Sequence, residues 1–123
     1  MDIVNRSSAI IYSTEKMLDW INSLPEYQGD DAVSLEEVNS EPCVFLIPEF
    51  EDEVDAYDYI ASREVEIFNH MLSGWWQEKG EINVNPDKED FQEWFGVSVS
   101  SMIIDLDYTP IVKDELEVVD DDE

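Results

Sequence analysis

Short apolar segments alternate with polar stretches through the first half of the chain. Residues 8–12 (Ser-Ala-Ile-Ile-Tyr) predict a first strand, and the apolar positions that follow, up to about Ser23, recur at helical spacing until Pro25 ends the pattern. Ser13 or Thr14 is suited to cap this helix. Residues 43–47 (Cys-Val-Phe-Leu-Ile) form an uninterrupted apolar run bounded by prolines, which predicts a central strand buried on both faces.

The middle of the chain predicts one short helix and one long one. Ser34 followed three residues later by Glu37 is the pattern of a capping box, so we expect a short helix or single turn over residues 35–39. A second helix is expected from residue 51 or 52 to residue 72, ended by Gly74. Its predicted core stripe follows helical spacing: Val54, Tyr57, Ala61, Val65, Phe68, Leu72 and Trp75.

Toward the C-terminus the pattern predicts a last helix and a last strand. Asn85-Pro86 is a typical helix start, and Phe91, Trp94 and Phe95 would form the apolar face of that helix. Residues 97–106 predict a strand with a bulge, or a change from half-buried to fully buried, near Ser100 or Ser101. Residues 82–84 are a further candidate for an edge strand.

These elements indicate an α/β fold, with α+β as the open alternative. We expect a small mixed sheet of about three strands in the order β-α-β-α-α-β, with helices packed against it. The first two strands would be parallel neighbours joined by a right-handed crossover. Residues 1–110 are predicted to form a single globular domain, and residues 111–123 an acidic, disordered tail.

Charge narrows the choice of partners. The chain carries 32 acidic residues against six Lys and Arg, a formal net charge of −26. Direct binding to nucleic acid or to an anionic membrane needs basic residues and is therefore disfavoured. The remaining interpretations are a basic protein partner, a bound cation, or no particular partner. Repulsion between copies of so acidic a chain favours a monomer.

The single cysteine, Cys43, suggests a reducing compartment without disulfides. We find neither the pattern of a signal peptide nor an apolar run of the roughly 20 residues that a transmembrane helix needs. The expected location is therefore the cytoplasm.

The densest acidic cluster follows the central apolar run. As oxygen ligands for Ca²⁺ or Mg²⁺ its members lack the spacing of an EF-hand loop. Two other interpretations stay open: a solvated helix N-terminus, and a contact surface for a basic partner. The cluster comprises Glu49, Glu51, Asp52, Glu53, Asp55 and Asp58.

Aromatic and nucleophilic residues offer weaker candidates. Trp75 and Trp76 are consecutive at a helix end, so one of them is expected to be partly exposed and could anchor a partner. His70, the only histidine, and Cys43 lack the spaced partners that catalysis or Zn²⁺ binding requires. No cofactor, metal or catalytic residue is predicted.

Five segments together resemble a family of short acidic bacterial proteins of uncharacterised function. The resemblance implies a stand-alone bacterial cytoplasmic domain and brings no activity, cofactor or site residue with it. The segments are Arg-Ser-Ser-Ala-Ile-Ile (6–11), Leu-Asp-Trp (18–20), Val-Phe-Leu-Ile-Pro-Glu (44–49), Phe-Gln-Glu-Trp-Phe (91–95) and Ser-Met-Ile-Ile-Asp-Leu (101–106).

The leading hypothesis is a small non-catalytic protein that binds a basic protein surface, including the case of nucleic-acid mimicry by spaced carboxylates. The competing hypothesis is an enzyme or small-molecule binder, whose pocket would involve His70, Cys43 or the Trp75–Trp76 pair. A third hypothesis is a structural or regulatory subunit of a larger assembly.

Overall fold

Ten helices and strands follow one another in the part of the chain that the computed structural model describes, residues 1–75 and 84–116. They form one domain of mixed α/β type, as predicted. In chain order they are β1 (Asp2–Ile3), β2 (Ser7–Ser13), α1 (Glu15–Ser23), α2 (Leu35–Val38), β3 (Cys43–Ile47), α3 (Glu53–Ser62), α4 (Glu64–Ser73), α5 (Phe91–Trp94), β4 (Phe95–Ser100) and β5 (Ile104–Asp105). Short 3-10 turns occupy Pro25–Tyr27, Gly29–Asp31 and Pro86–Lys88.

The main sheet has three strands in the order β3-β2-β4, and both pairings are antiparallel. Ile11 of β2 lies opposite Cys43 of β3 on one side and Val97 of β4 on the other. β1 and β5 form a separate antiparallel pair in which Ile3 lies opposite Ile104. The central strand is therefore β2, and β3 is an edge strand.

The predicted parallel pairing of the first two strands is wrong. The connection from β2 to β3 leaves and re-enters the sheet at the same end, because residues 24–42 bring the chain back after α1. The Asn39 side chain fixes this return: its amide oxygen accepts from Ser13 N–H at 2.8 Å, and its nitrogen donates to the Ser13 carbonyl at 3.0 Å. β3 thus begins beside the end of β2 and must run antiparallel to it.

The apolar core lies on one face of this sheet. Ala9 and Ile11 of β2 are fully buried there, and Ile47 and Phe95 extend the buried layer onto the edge strands. The helices supply the second layer through buried side chains that include Met17, Trp20, Ile21, Ala56, Ile60, Ile67, Phe68, Leu72, Phe91 and Trp94. A half-buried antiparallel sheet with helices on one face is the α+β alternative of the predicted class.

The other face of the sheet carries exposed apolar side chains. Val44 and Leu46 of β3 are 56% and 53% exposed, so the prediction of a strand buried on both faces is wrong. The five residues of β3 alternate between the two faces, as strand geometry requires. Because the outward-facing residues are apolar as well, the sequence shows an unbroken apolar run instead of an alternating one.

The predicted long helix is two helices. It begins at the expected place, since the Asp52 carboxylate accepts a hydrogen bond from Val54 N–H at 3.0 Å, and Gly74 follows its last residue. Between α3 and α4 the backbone of Arg63 departs from helical angles, with φ −118° and ψ 11°. No proline or glycine marks this break, so the sequence pattern gives no sign of it.

The predicted core stripe is wrong in α3 and only partly correct in α4, where Val65 is 38% exposed. Phe68 and Leu72 are buried, whereas Val54 is 61% and Tyr57 43% exposed. In α3 the face that packs on the core carries Ala56 and Ile60, which are 2% and 3% exposed. Both faces of α3 carry apolar residues at helical spacing. Only the tertiary contacts show which face is buried.

The predicted last strand is divided. β4 ends at Ser100, where the sequence indicated an irregularity, and β5 pairs with β1 instead of continuing the main sheet. The last predicted helix is reduced to the Pro86–Lys88 turn and α5, and Phe95 already belongs to β4. Residues 106–116 are exposed outside helices and strands, whereas residues 82 and 83 of the candidate edge strand and residues 117–123 of the tail lie outside the described residues.

The predicted capping box at the start of α2 is confirmed. Ser34 Oγ accepts from Glu37 N–H at 3.1 Å, and Glu37 Oε1 accepts from Ser34 N–H at 3.2 Å. At α1 the cap position falls on Thr14, whose hydroxyl instead lies 2.6 and 2.8 Å from the carbonyl oxygens of Glu93 and Trp94. Thr14 therefore links the start of α1 to α5.

Replacing Ser34 by Ala is expected to lower the free energy of unfolding by about 1 kcal/mol, because the Glu37 N–H loses its acceptor. Ser34→Asn keeps a side-chain acceptor and should stay close to the wild type. Urea unfolding of the three proteins measures the difference. Equal losses in both variants would show that the cap does not contribute.

Candidate functional site

The acidic cluster of the sequence is exposed along its whole length. Its first two members lie in the loop after β3, Asp52 caps α3, and the others lie on α3 itself. All six side chains are exposed: Glu49, Glu51, Asp52, Glu53, Asp55 and Asp58. The six residues thus follow one another along the loop and the first turns of α3, and all of them are accessible to a partner.

None of these six carboxylates forms an ion pair with a described residue. Within residues 1–75 and 84–116, Lys16 pairs with Glu93 at 2.8 Å and lies 4.0 Å from Glu89, and Arg63 pairs with Glu66 at 2.8 Å. The Arg63 hydrogen bonds hold the pKa of Glu66 below its usual value. Within these ranges, no Lys or Arg therefore lies at ion-pair distance from the cluster.

An exposed apolar stripe runs between these carboxylates. Val54, Tyr57 and Ala61 recur at spacings of three and four residues, so they share one side of α3. We define the α3 surface as this stripe together with the flanking carboxylates of Glu53, Asp55 and Asp58. Exposed aromatic and aliphatic groups within a polar rim are the usual composition of a protein-binding surface.

No metal site is formed in the part of the chain that the structure describes. No three side chains of His, Cys, Asp or Glu there lie close enough together to hold a metal ion. The carboxylates of the cluster follow one another along a loop and a helix instead of converging on one point.

Trp75 is half-buried at the end of α4. Its ring makes a T-shaped contact with Tyr27, with centroids 5.4 Å apart. Trp76, the other half of the predicted pair, lies outside the described residues. Trp75 is well separated in sequence from the acidic cluster, and it belongs to a different feature of the surface.

That feature is a pocket of about 170 Å³ between the end of α4 and the segment that leads into β3. It brings together His70, Cys43 and Trp75, the three described residues named in the competing hypothesis. Its apolar wall is completed by Ile11, Val38, Pro42 and Met71. Sequence analysis missed Glu41 and Asn39, which also line it, because only the return of the chain after α2 brings them there.

The chemistry of the pocket does not favour a cysteine nucleophile. Burial raises the pKa of the Cys43 thiol, which favours the neutral form over the reactive thiolate. His70 makes an edge contact with the ring of Phe45, with centroids 5.6 Å apart. Both ends of the Asn39 amide bond to Ser13, so this side chain supports the wall of the pocket.

The unpaired charge predicts an unusual response to salt. The melting temperature is expected to rise between low and moderate salt, because screening weakens repulsion among many carboxylates and costs only a few favourable pairs. Differential scanning calorimetry at fixed pH measures this. A flat or falling melting temperature would contradict the account of the charge.

No helix among the described residues is both long and apolar enough to span a bilayer. Comparisons with protein-family models, with curated proteins and with solved structures gave no match. The resemblance to a family of short acidic bacterial proteins therefore stays a prediction.

Proposed function

We propose that this chain is a small non-catalytic protein that binds a basic protein through the α3 surface. One observation carries the proposal: apolar side chains, with Val54 61% and Tyr57 43% exposed, lie between carboxylates that have no ion-pair partner among the described residues. Desolvating the apolar stripe would supply affinity, and the carboxylates would select a partner rich in Lys and Arg.

Nucleic-acid mimicry is the second version of this proposal. It needs an extended acidic face, whereas α3 has ten residues and is only about 15 Å long. Mimicry also does not require an apolar stripe, since a phosphate-binding groove recognises charge. The exposed Val54 and Tyr57 therefore favour a partner that offers both apolar and basic side chains.

We also propose the location and the oligomeric state in which this function is carried out. A monomer in a reducing compartment is supported by the net charge and by the single, unpaired Cys43, whereas a bacterial cytoplasm rests on the resemblance alone. The alternative, small-molecule binding or catalysis, is favoured by one observation only, the pocket that joins His70, Cys43 and Trp75.

Affinity capture from lysate of the source organism tests the proposal. The full chain serves as bait at low and at moderate salt, beside an unrelated acidic protein of equal charge. We expect a basic protein to be retained by this chain alone and to be released as salt rises. Identical proteins on both baits would mean that the charge only keeps the surface solvated.

A further inference from the structure

The charge that lines the pocket at the end of α4 is negative. Among the described residues that line it, Glu41 is the only acidic side chain, and neither Lys nor Arg is present. The chain as a whole carries a formal charge of −26, which lowers the potential at every part of its surface. The charge of the lining and of the chain therefore favours a cationic ligand over an anionic one.

An aromatic ring lines the same pocket as this carboxylate. Trp75 lines the pocket, and indole is the side chain whose face attracts an organic cation most strongly. The T-shaped contact with Tyr27 at 5.4 Å holds the Trp75 ring in place before any ligand arrives. Pro42 and Met71 provide apolar surface for the carbon atoms attached to a cationic head group.

The pocket is preformed by contacts that do not involve a ligand. The two hydrogen bonds between Asn39 and Ser13, at 2.8 and 3.0 Å, hold the segment before β3 against the end of β2. The His70 ring makes an edge contact with Phe45, with centroids 5.6 Å apart. A volume of about 170 Å³ accommodates an ammonium or guanidinium group with a short aliphatic stem, and little more.

We propose that this pocket binds an organic monocation, with the cationic head between the Glu41 carboxylate and the Trp75 ring and the stem against Pro42 and Met71. The same chemistry is offered by a free alkylamine and by a Lys or Arg side chain of a protein. The inference does not rest on the α3 surface, and the two sites can be tested independently.

The test is a titration of the full chain with n-butylammonium, followed by ¹H–¹⁵N spectra at about 0.15 M salt to suppress diffuse ion binding. We expect saturable shifts of the Trp75 indole N–H and of the Cys43 amide, with a dissociation constant of about 1 mM. The uncharged analogue 1-butanol should bind at least about tenfold more weakly. No saturable shift, or equal binding of the alcohol, would overturn the proposal.

Two variants with the same change of charge locate the site. Glu41→Gln is expected to weaken butylammonium binding about fivefold, as a partly exposed ion pair would. Glu51→Gln removes one carboxylate that does not line the pocket and should leave the affinity unchanged. Both side chains are exposed, so neither variant disturbs the core. Equal affinities in the two variants would contradict the assignment of Glu41.

A short Gly/Ser peptide with one central Lys distinguishes the two sources of the cation. Binding of this peptide at least as tight as that of butylammonium would assign the pocket to a protein side chain. Binding of butylammonium alone would assign it to a free amine, because the peptide backbone then cannot approach the entrance. Failure of both probes would overturn the inference and leave the proposed binding at the α3 surface untouched.

Discussion

Replacing Phe68 by Ala is expected to lower the free energy of unfolding by about 3–5 kcal/mol. Phe68 is 1% exposed, and its ring lies 5.1 Å from that of Trp94, 5.0 Å from that of Phe95 and 6.3 Å from that of Phe91. Removing it leaves a cavity at the junction of α4, α5 and β4. Since domains of this size are stable by only about 5–15 kcal/mol, the variant should be partly unfolded at modest urea concentrations.

Val65→Ala is the matched control for this change, because it truncates a side chain on the same helix that is 38% exposed. Its expected cost is below about 1 kcal/mol. Urea unfolding, followed by tryptophan fluorescence, gives both values. If the Phe68 variant is no less stable than the Val65 variant, the aromatic cluster is not the centre of the core.

Replacing Val54 and Tyr57 together by Ser is expected to reduce retention of the basic partner at least about tenfold, as loss of apolar anchors does in other interfaces. The double variant keeps every carboxylate, so its net charge is that of the wild type. Both side chains lie at the surface, so the free energy of unfolding should change by no more than about 1 kcal/mol. The affinity capture described above measures the retention.

The control is the double substitution of Val44 and Leu46 by Ser on the outer face of β3. These side chains are 56% and 53% exposed, so the control removes a comparable amount of exposed apolar surface at another place. Retention should equal that of the wild type. Nucleic-acid mimicry predicts full retention by both double variants, and a loss confined to the β3 variant would move the interface to the sheet.

The elements predicted from the sequence are those with local signals. β2 and α1 lie where the apolar pattern placed them, and the capping box at Ser34 and the helix start expected at residue 51 or 52 are both found. These features depend on residues within one turn of each other, so a single sequence contains what is needed to predict them.

The wrong predictions concern contacts between residues far apart in the chain. The antiparallel direction of β3 follows from the bonds between Asn39 and Ser13, 26 residues apart. The exposed stripe of α3 was predicted to be core because Val54 and Tyr57 fit helical spacing as well as the buried residues do. Helix propensity does not explain why apolar side chains at these positions are exposed. We interpret them as part of a binding surface.

The two candidate sites also differ in whether the sequence could predict them. Exposure of the acidic cluster could be predicted, since carboxylates without bases nearby remain in water. The pocket could not, because its lining comes from β2, α2, the start of β3 and α4, and residues such as Glu41 have no distinguishing neighbours in sequence.

Zero-length carbodiimide cross-linking of the captured complex is the most direct test of the central claim, that a basic protein binds at the α3 surface. The reagent joins carboxylates to lysine amines in contact, and peptide mass spectrometry locates the bonds. We predict that partner lysines are joined to Glu53, Asp55 or Asp58. Cross-links confined to other exposed carboxylates, such as Glu36 and Glu115, would contradict the assignment.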